Sequence, residues 1–309
     1  MPVTAPSLRF RRVALVGRYA SPALAESLTG LAGFLAGRGH EIVLEAETAR
    51  YAPVPGCHRA GPGALGREAD VAVIVGGDGT MLSAARELAA FDIPLIGVNQ
   101  GRLGFLTDVP AASMEPALAA ILDGRFVEER RTMLDVTLER KAGGLPEGVQ
   151  AFNEVVVNRG TQGGMIDSAA EIDGRFLYAM RSDGLIVATP TGSTAYALSA
   201  QGPIVEPSVP AILLVPVAPH ALTNRPIVVG DSVTVRVTLL RGTDAWAHCD
   251  GQTHFQMAEG DRVTIRRARH TMRLLHPEGY DYFAMLREKL HWSETPERLH
   301  ETAFAGRAD

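Results

Sequence analysis

The sequence predicts a doubly wound α/β half built on a parallel sheet, followed by a β-rich half, and three observations carry this. Val71 to Val75 is an unbroken, mostly β-branched apolar run, suited to a strand buried on both faces. Runs of that kind alternate with helical 3.6-residue patterns up to Leu122. From Leu134 onward the pattern changes to short alternating runs, many separated by Asp-Gly or Gly-Asp turns.

In chain order, Arg12 to Gly17 reads as a first strand. Ser21-Pro22 then opens a helix with Leu24, Leu28, Leu31 and Leu35 on one side, stopped by Gly37-Arg38-Gly39. Glu41 to Leu44 is a second strand. The Gly- and Pro-rich stretch from Tyr51 to Glu68 gives no readable element. It contains Gly61-Pro62-Gly63-Ala64-Leu65-Gly66, which has dinucleotide-fingerprint spacing but no recognisable strand before it, and reads as a chance match. Ile93 to Asn99 is a further buried strand leading into the loop Gly101 to Leu106, and Glu115 to Leu122 is an amphipathic helix. The β-rich half is read as Leu134–Leu138, Glu154–Val157, Ala169–Ile172, Leu185–Ala188, Ile212–Val217, Ser232–Leu239, Ala245–Cys249, Arg262–Ile265 and Met272–Leu275. A helix from Asp281 to His291 closes it. The expected units are 1–126, 127–280 and a closing helix with a polar tail over 281–309.

The turn Gly76-Gly77-Asp78-Gly79-Thr80 organises the first half. It joins the carboxyl end of the buried strand to a helix carrying Met81, Leu82, Ala85, Leu88 and Ala89, and ligands of open α/β sheets bind at that edge. Glycines admit a phosphate close to the backbone, and a helix start aims N–H groups at an anion. A carboxylate there repels phosphate unless it holds a cation or takes a proton from a nucleophile. The structural alternative is Asp78 as a helix N-cap.

Composition bounds the partners. The chain has 309 residues, 46% of them hydrophobic and 21% charged, the profile of an ordinary globular protein. A net charge of −5 disfavours nucleic-acid binding. No apolar run suits a signal core or a membrane span, so the cytoplasm is the expected compartment. Cys57 and Cys249 make neither a disulfide framework nor a zinc site. Lysine occurs only at Lys141 and Lys289, no G-x-x-x-x-G-K-[ST] is present, and a P-loop is excluded. His248, Cys249 and His254 flank one turn without spaced partners and read as structural.

Three constellations in the β-rich half remain. Asn153-Glu154 opens a strand and alone reads as a solvated strand end. Arg181-Ser182-Asp183-Gly184 reads as a hairpin turn. Thr189-Pro190-Thr191-Gly192-Ser193-Thr194-Ala195-Tyr196 crowds hydroxyls before a helical run and suits either phosphate and ribose binding or simple capping.

Taken together, the glycine–aspartate turn, Gly97-Val98-Asn99, Gly104-Phe105-Leu106, Asn153-Glu154, Arg181 to Gly184 and Thr189 to Tyr196 resemble the NAD kinase family over nearly the whole chain. The turn by itself is shared with lipid kinases such as diacylglycerol and sphingosine kinases. The resemblance implies a Rossmann-like first domain, a site in the cleft between the halves, and ATP-dependent phosphorylation of the adenosine-ribose 2′-hydroxyl of NAD. It implies Asp78 as general base with Gly79 beside the substrate, and Gly76, Gly77, Thr80 and Arg102 positioning phosphate. Asn153 and Glu154 would hold ribose, with Glu154 also near a metal, expected to be Mg²⁺ carried by the ATP phosphates. Asp183 would contact the nicotinamide side, while Thr191, Thr194, Ala195, Tyr196, Ala197, Leu198 and Ser199 surround adenine and ribose. Gln252 matches a further contact position. Arg181 matches a charged residue of members that prefer NAD to NADH, and Gly164 stands where some relatives carry histidine. A homodimer or homotetramer is also implied. The rivals are a lipid kinase, which needs an apolar pocket, and a non-catalytic NAD(P)-binding regulator, which has no need of Asp78.

Overall fold

The computed structural model describes residues 8–17, 22–101, 104–144 and 147–292. Its first half runs β1 (Arg12–Val16), α1 (Pro22–Gly37), β2 (Glu41–Glu45), α2 (Thr48–Tyr51), β3 (His58–Ala60), α3 (Pro62–Glu68), β4 (Val71–Gly76), α4 (Asp78–Leu88), β5 (Leu95–Asn99), β6 (Val109–Pro110) and α5 (Met114–Leu122). The strands lie in the order β3-β2-β1-β4-β5, all parallel. Every residue of β4 is buried because side chains alternate between two helical layers. Val71, Val73 and Val75 pack with the α1 leucines and with Leu118 and Ile121 of α5, whereas Ala72 and Ile74 pack with Leu65 of α3 and Met81, Ala85 and Leu88 of α4. The chain turns one way from β1 to β2 and the other from β4 to β5, so the glycine–aspartate turn lies at the topological switch point.

One expectation fails here. The three-residue strand β3 does precede the Gly61–Gly66 spacing, with Gly61 as N-cap and Pro62 at the first turn of α3. Only Ala60 of β3 is buried, so the edge strand carries no apolar signal. Gly66 serves packing: a Cβ there would lie 2.3 Å from Cδ2 of Phe91. Gly66→Ala is therefore expected to cost about 1–3 kcal/mol through overpacking. Thermal denaturation should show a midpoint several degrees lower, and an unchanged midpoint would refute this contact.

The second half contains β7 (Phe126–Glu139), β8 (Glu147–Ala151), β9 (Glu154–Arg159), β10 (Ile166–Ile172), β11 (Arg175–Ser182), β12 (Gly184–Ala188), α6 (Tyr196–Ser199), β13 (Ala211–Val217), β14 (Ile227–Gly230), β15 (Thr234–Arg241), β16 (Ala245–Cys249), β17 (Thr253–Met257), β18 (Arg262–Pro277) and α7 (Tyr282–Leu290). Arg262–Ile265 and Met272–Leu275 are parts of one long strand, β18, which pairs along β7 and touches β5 in parallel at Leu274↔Leu95. The parallel sheet thus continues into antiparallel strands, giving twelve strands in one sheet among the described residues. A second sheet, β14-β13-β12-β9-β16-β17, is wholly antiparallel. The two sheets face each other over Leu134, Val136, Val237 and Ile265 on one side and Val155, Val157, Val187 and Leu214 on the other.

Arg181 to Gly184 is not a hairpin. β11 belongs to the larger sheet and β12 to the smaller, so Asp183 sits at a corner where the chain changes sheets. Local turn chemistry cannot distinguish the two, because both need a tight reversal.

Candidate active site

Asp78 is the first residue of α4 and Gly77 is the N-cap, so the capping alternative does not hold. Its carboxylate instead accepts from Phe105 N at 2.8 Å, Leu106 N at 3.1 Å and Thr107 Oγ1 at 3.1 Å. Thr107 Oγ1 in turn accepts from Asn99 Nδ2 at 2.9 Å, at the end of β5. Oδ2 takes only the Phe105 N–H bond among these, leaving it acceptor capacity for one more proton donor. The loop approaches this closely because residue 104 is glycine: a Cβ there would lie 1.9 Å from Asp78 Oδ1. Thr80 is buried, and its Oγ1 has no hydrogen-bond partner among the described residues.

A second carboxylate, Asp250, joins the halves. Asp250 and Gly251 take left-handed φ values of 51° and 63°, forming the tight β16–β17 hairpin. The carboxylate accepts from Phe152 N at 2.9 Å, Asn153 N at 2.8 Å and Glu154 N at 3.2 Å, and pairs with Arg86 Nη1 of α4 at 2.8 Å. Arg86 also donates to Gln252 Oε1, and Gln252 Nε2 donates to Gly79 O at 2.9 Å. The hairpin therefore clamps the start of β9 against the switch-point turn. From sequence, Asp250 is only a turn residue; Arg86 carries no local signal at all.

Asn153 and Glu154 are not the solvated strand end their polarity suggests. Glu154 is 8% exposed, and its Oε2 and Asn153 Oδ1 are enclosed with no hydrogen-bond partner among the described residues. Burial, with a smaller contribution from the neighbouring Asp250 charge, pushes the Glu154 carboxyl up to about 8. A buried carboxyl with a raised pKa, its backbone held by the Asp250 hairpin, is a functional-site signature. The folded state holds this proton more tightly, so the stability from Glu154 is full below about pH 4.5 and is lost as pH rises toward 8. Glu154→Gln should therefore become progressively more stable than wild type from pH 5 to 8.5, by on the order of 3–5 kcal/mol at the upper end, read as a rising difference in thermal midpoint. Parallel wild-type and variant midpoints across that range would rule it out.

The hydroxyl-rich loop lies against the same place. Thr189 Oγ1 donates to Phe152 O at 2.7 Å, and Gly192 packs so closely that a Cβ would meet Asn153 O at 2.2 Å. Thr191 and Thr194 belong to a 3-10 turn, Ala195 is its C-cap, and α6 follows. Thr191 and Ala197 are buried; Thr194, Ala195 and Leu198 are half-buried; Tyr196 and Ser199 are exposed.

An open groove of ≈ 1140 Å³ lies on the outer face of the smaller sheet. Glu154, Val156 and Asn158 alternate onto one face of β9, with His248 opposite Val156 and Trp246 opposite Asn158. The face bearing Glu154 thus continues into the groove, whose walls include Asn158, Tyr196, Trp246, His248 and His254. Asp183 lines it too and accepts from Arg159 Nε at 2.7 Å. His248 and His254 line the groove, their Nδ1 atoms 2.6 Å apart, while Cys249 faces the core. Their signal, alternation on a strand, is indistinguishable from an exposed face.

The fold therefore brings Gly76, Gly77, Asp78, Gly79 and Thr80 to Gln252, Asn153 and Glu154, with the Thr191–Ser199 segment adjoining and Asp183 on the groove. Arg181 lies apart, its exposed side chain 3.5 Å from Asp167 on the neighbouring strand. Gly164 is exposed, and Arg102 lies outside the described residues.

Two family models match the chain, the ATP-NAD kinase N-terminal domain over residues 23–126 and the ATP-NAD kinase C-terminal domain over 152–276. An NAD kinase from Burkholderia ambifaria (strain MC40-6) is 48% identical over 295 residues, covering 96% of this chain and 98% of that one. One from Aromatoleum aromaticum is 51% identical, covering 94% and 97%. Among solved structures, an Archaeoglobus fulgidus NAD kinase in complex with ATP superposes with TM-score 0.69 at 28% identity, covering 91% of this chain and 98% of that one. Yeast NADH kinase complexed with NADH shares the fold at TM-score 0.84 and 24% identity, covering 94% and 92%. By both domains and by likeness along nearly its whole length, the chain belongs to the NAD kinase family.

Proposed function

We propose that this chain transfers the γ-phosphoryl group of ATP to the 2′-hydroxyl of the adenosine ribose of NAD, giving NADP and ADP. The observation that carries the reading is the Asp78 carboxylate, fixed by three loop donors at the switch-point turn and joined to the NAD-side elements through Gln252. A ribose hydroxyl is a weak nucleophile until a base takes its proton. Asp78 would accept that proton on Oδ2 as the hydroxyl oxygen bonds to the γ-phosphorus and the bond to the ADP oxygen breaks. Gly76, Gly77 and Thr80 would position phosphate at the start of α4. The groove beyond Glu154 would take the rest of the dinucleotide, with Tyr196 and Asp183 on its wall.

A divalent cation fits as a companion of ATP rather than as a caged ion. Among the described residues no three His, Cys, Asp or Glu side chains cluster to hold one. Mg²⁺ is commonly held by one or two carboxylates together with substrate phosphates, and Glu154 Oε2 offers a buried oxygen without a partner among the described residues. When bound, the cation would offset triphosphate charge.

The groove walls carry Asn158, Arg159, Asp183 and Asp244, which suits a polar dinucleotide better than a lipid. The cytoplasm is the expected compartment for the reaction. No helix among the described residues is long and apolar enough to cross a membrane. Assembly as a homodimer or homotetramer through the β-rich half is expected, and the exposed Phe176 and Leu222 there support it. The test is NADP formation by purified protein from NAD, ATP and Mg²⁺, with NADH and polyphosphate as alternative substrates. NAD binding without any NADP would overturn the kinase reading in favour of a regulator.

A further inference from the structure

Behind the candidate site lies a buried charged cluster that the reaction above does not use. His276, near the end of β18, is 1% exposed, and its Nδ1 donates to Asp108 Oδ2 at 2.9 Å. Its Nε2 lies 3.4 Å from Glu129 Oε2 on β7. Glu129 Oε2 accepts from Arg131 Nε at 2.9 Å, and Arg131 Nη1 donates to Thr191 Oγ1 at 3.4 Å. Tyr280 stacks on the His276 ring at 3.9 Å between centroids and 11° between planes, and its hydroxyl accepts from Arg131 at 3.5 Å.

The position of this cluster gives it a use. Asp108 directly follows Phe105, Leu106 and Thr107, whose donors hold the Asp78 carboxylate. Thr191 opens the turn that leads to α6. Burying a histidine between two carboxylates and an arginine is costly unless the geometry is satisfied, and such networks fix one arrangement of the segments they join. Resting on the kinase reading, we propose that His276 is a positioning residue: through Asp108 it fixes the loop that orients Asp78, and through Glu129 and Arg131 it holds the Thr191 turn in register with that loop.

Burial disfavours a charged His276 ring, but Asp108 and Glu129 outweigh it and hold its pKa above the ordinary value. The other groups facing the cluster are Arg131, Tyr280 and Tyr282, and burial raises both phenols, so they stay protonated around neutrality. The strut is therefore complete below the pKa of His276 and weakens as pH rises through it.

The test uses full-length protein carrying Asp108→Asn, His276→Asn or both, with kcat and KM measured from pH 6 to 9 and thermal midpoints checked. Each single variant is expected to lose 10- to 100-fold in kcat at pH 6.5, with KM for NAD within threefold. The double variant should lose no more than the worse single one, since both break one strut. Unchanged kcat in a folded variant, losses that multiply, or a loss confined to KM would overturn the inference. If the variants do not fold, ¹⁵N NMR of the wild-type His276 imidazole replaces them. Its titration should coincide with the alkaline limb of kcat, and a separation above about one pH unit overturns the inference. Wild-type protein that makes no NADP would instead overturn the kinase reading itself.

Discussion

Asp78→Asn is expected to lower kcat by about 10²–10⁴-fold, the range that a positioned general base contributes, with KM for NAD little changed. The amide keeps one acceptor oxygen but turns an NH₂ toward a loop whose N–H groups and hydroxyl already point inward. One or two of those donors lose their partner, at about 1–3 kcal/mol, so the thermal midpoint should fall by a few degrees while the fold persists. Thr107→Val separates base chemistry from loop support, because it deletes one donor to the carboxylate and leaves the carboxylate itself. That variant should keep more than a tenth of kcat. A folded Asp78→Asn protein retaining more than a tenth of wild-type kcat would exclude Asp78 as the base.

Asp250→Ala is expected to give the largest stability loss of any single change in the site. Its carboxylate satisfies three successive backbone N–H groups and the Arg86 guanidinium, whose side chain is 13% exposed. Removing it leaves those donors without an acceptor and a nearly buried cation unpaired, which costs about 3–5 kcal/mol. Denaturant unfolding should show that loss as a lower midpoint at an unchanged slope. Asp250→Ala with Arg86→Met should recover part of it, because the uncompensated charge is gone. A loss under about 1 kcal/mol for the single variant would mean that the hairpin does not clamp the two halves.

The class of fold can be read from local sequence patterns, and so can the glycine–aspartate turn on which the proposed site is centred. The parallel half was legible because strands buried on both faces must be continuously apolar, as Val71–Val75 is, and helices packed on a sheet must repeat near 3.6 residues, as Leu24 to Leu35 does. The glycine–aspartate turn was legible because its backbone demands are local. Edge strands such as His58–Ala60, Ile227–Gly230 and Thr253–Met257 were not legible, since each buries at most one residue and makes no pattern.

What the polar residues of the β-rich half contact follows only from how distant strands come together. Asn153-Glu154 looks like a solvated strand end, and Asp250 looks like one more hairpin aspartate. The structure buries Glu154 and Asp250, and the Asp250 carboxylate accepts from the backbone N–H groups of Phe152, Asn153 and Glu154. Asp183 became a corner between sheets, and Arg86, Arg131 and His276 acquired partners between 60 and 168 residues away. A charged residue's environment depends on which distant segments close over it, and no local periodicity records that. The sequence carries the burial of apolar faces, while the pairing of buried charges exists only once the strands have come together.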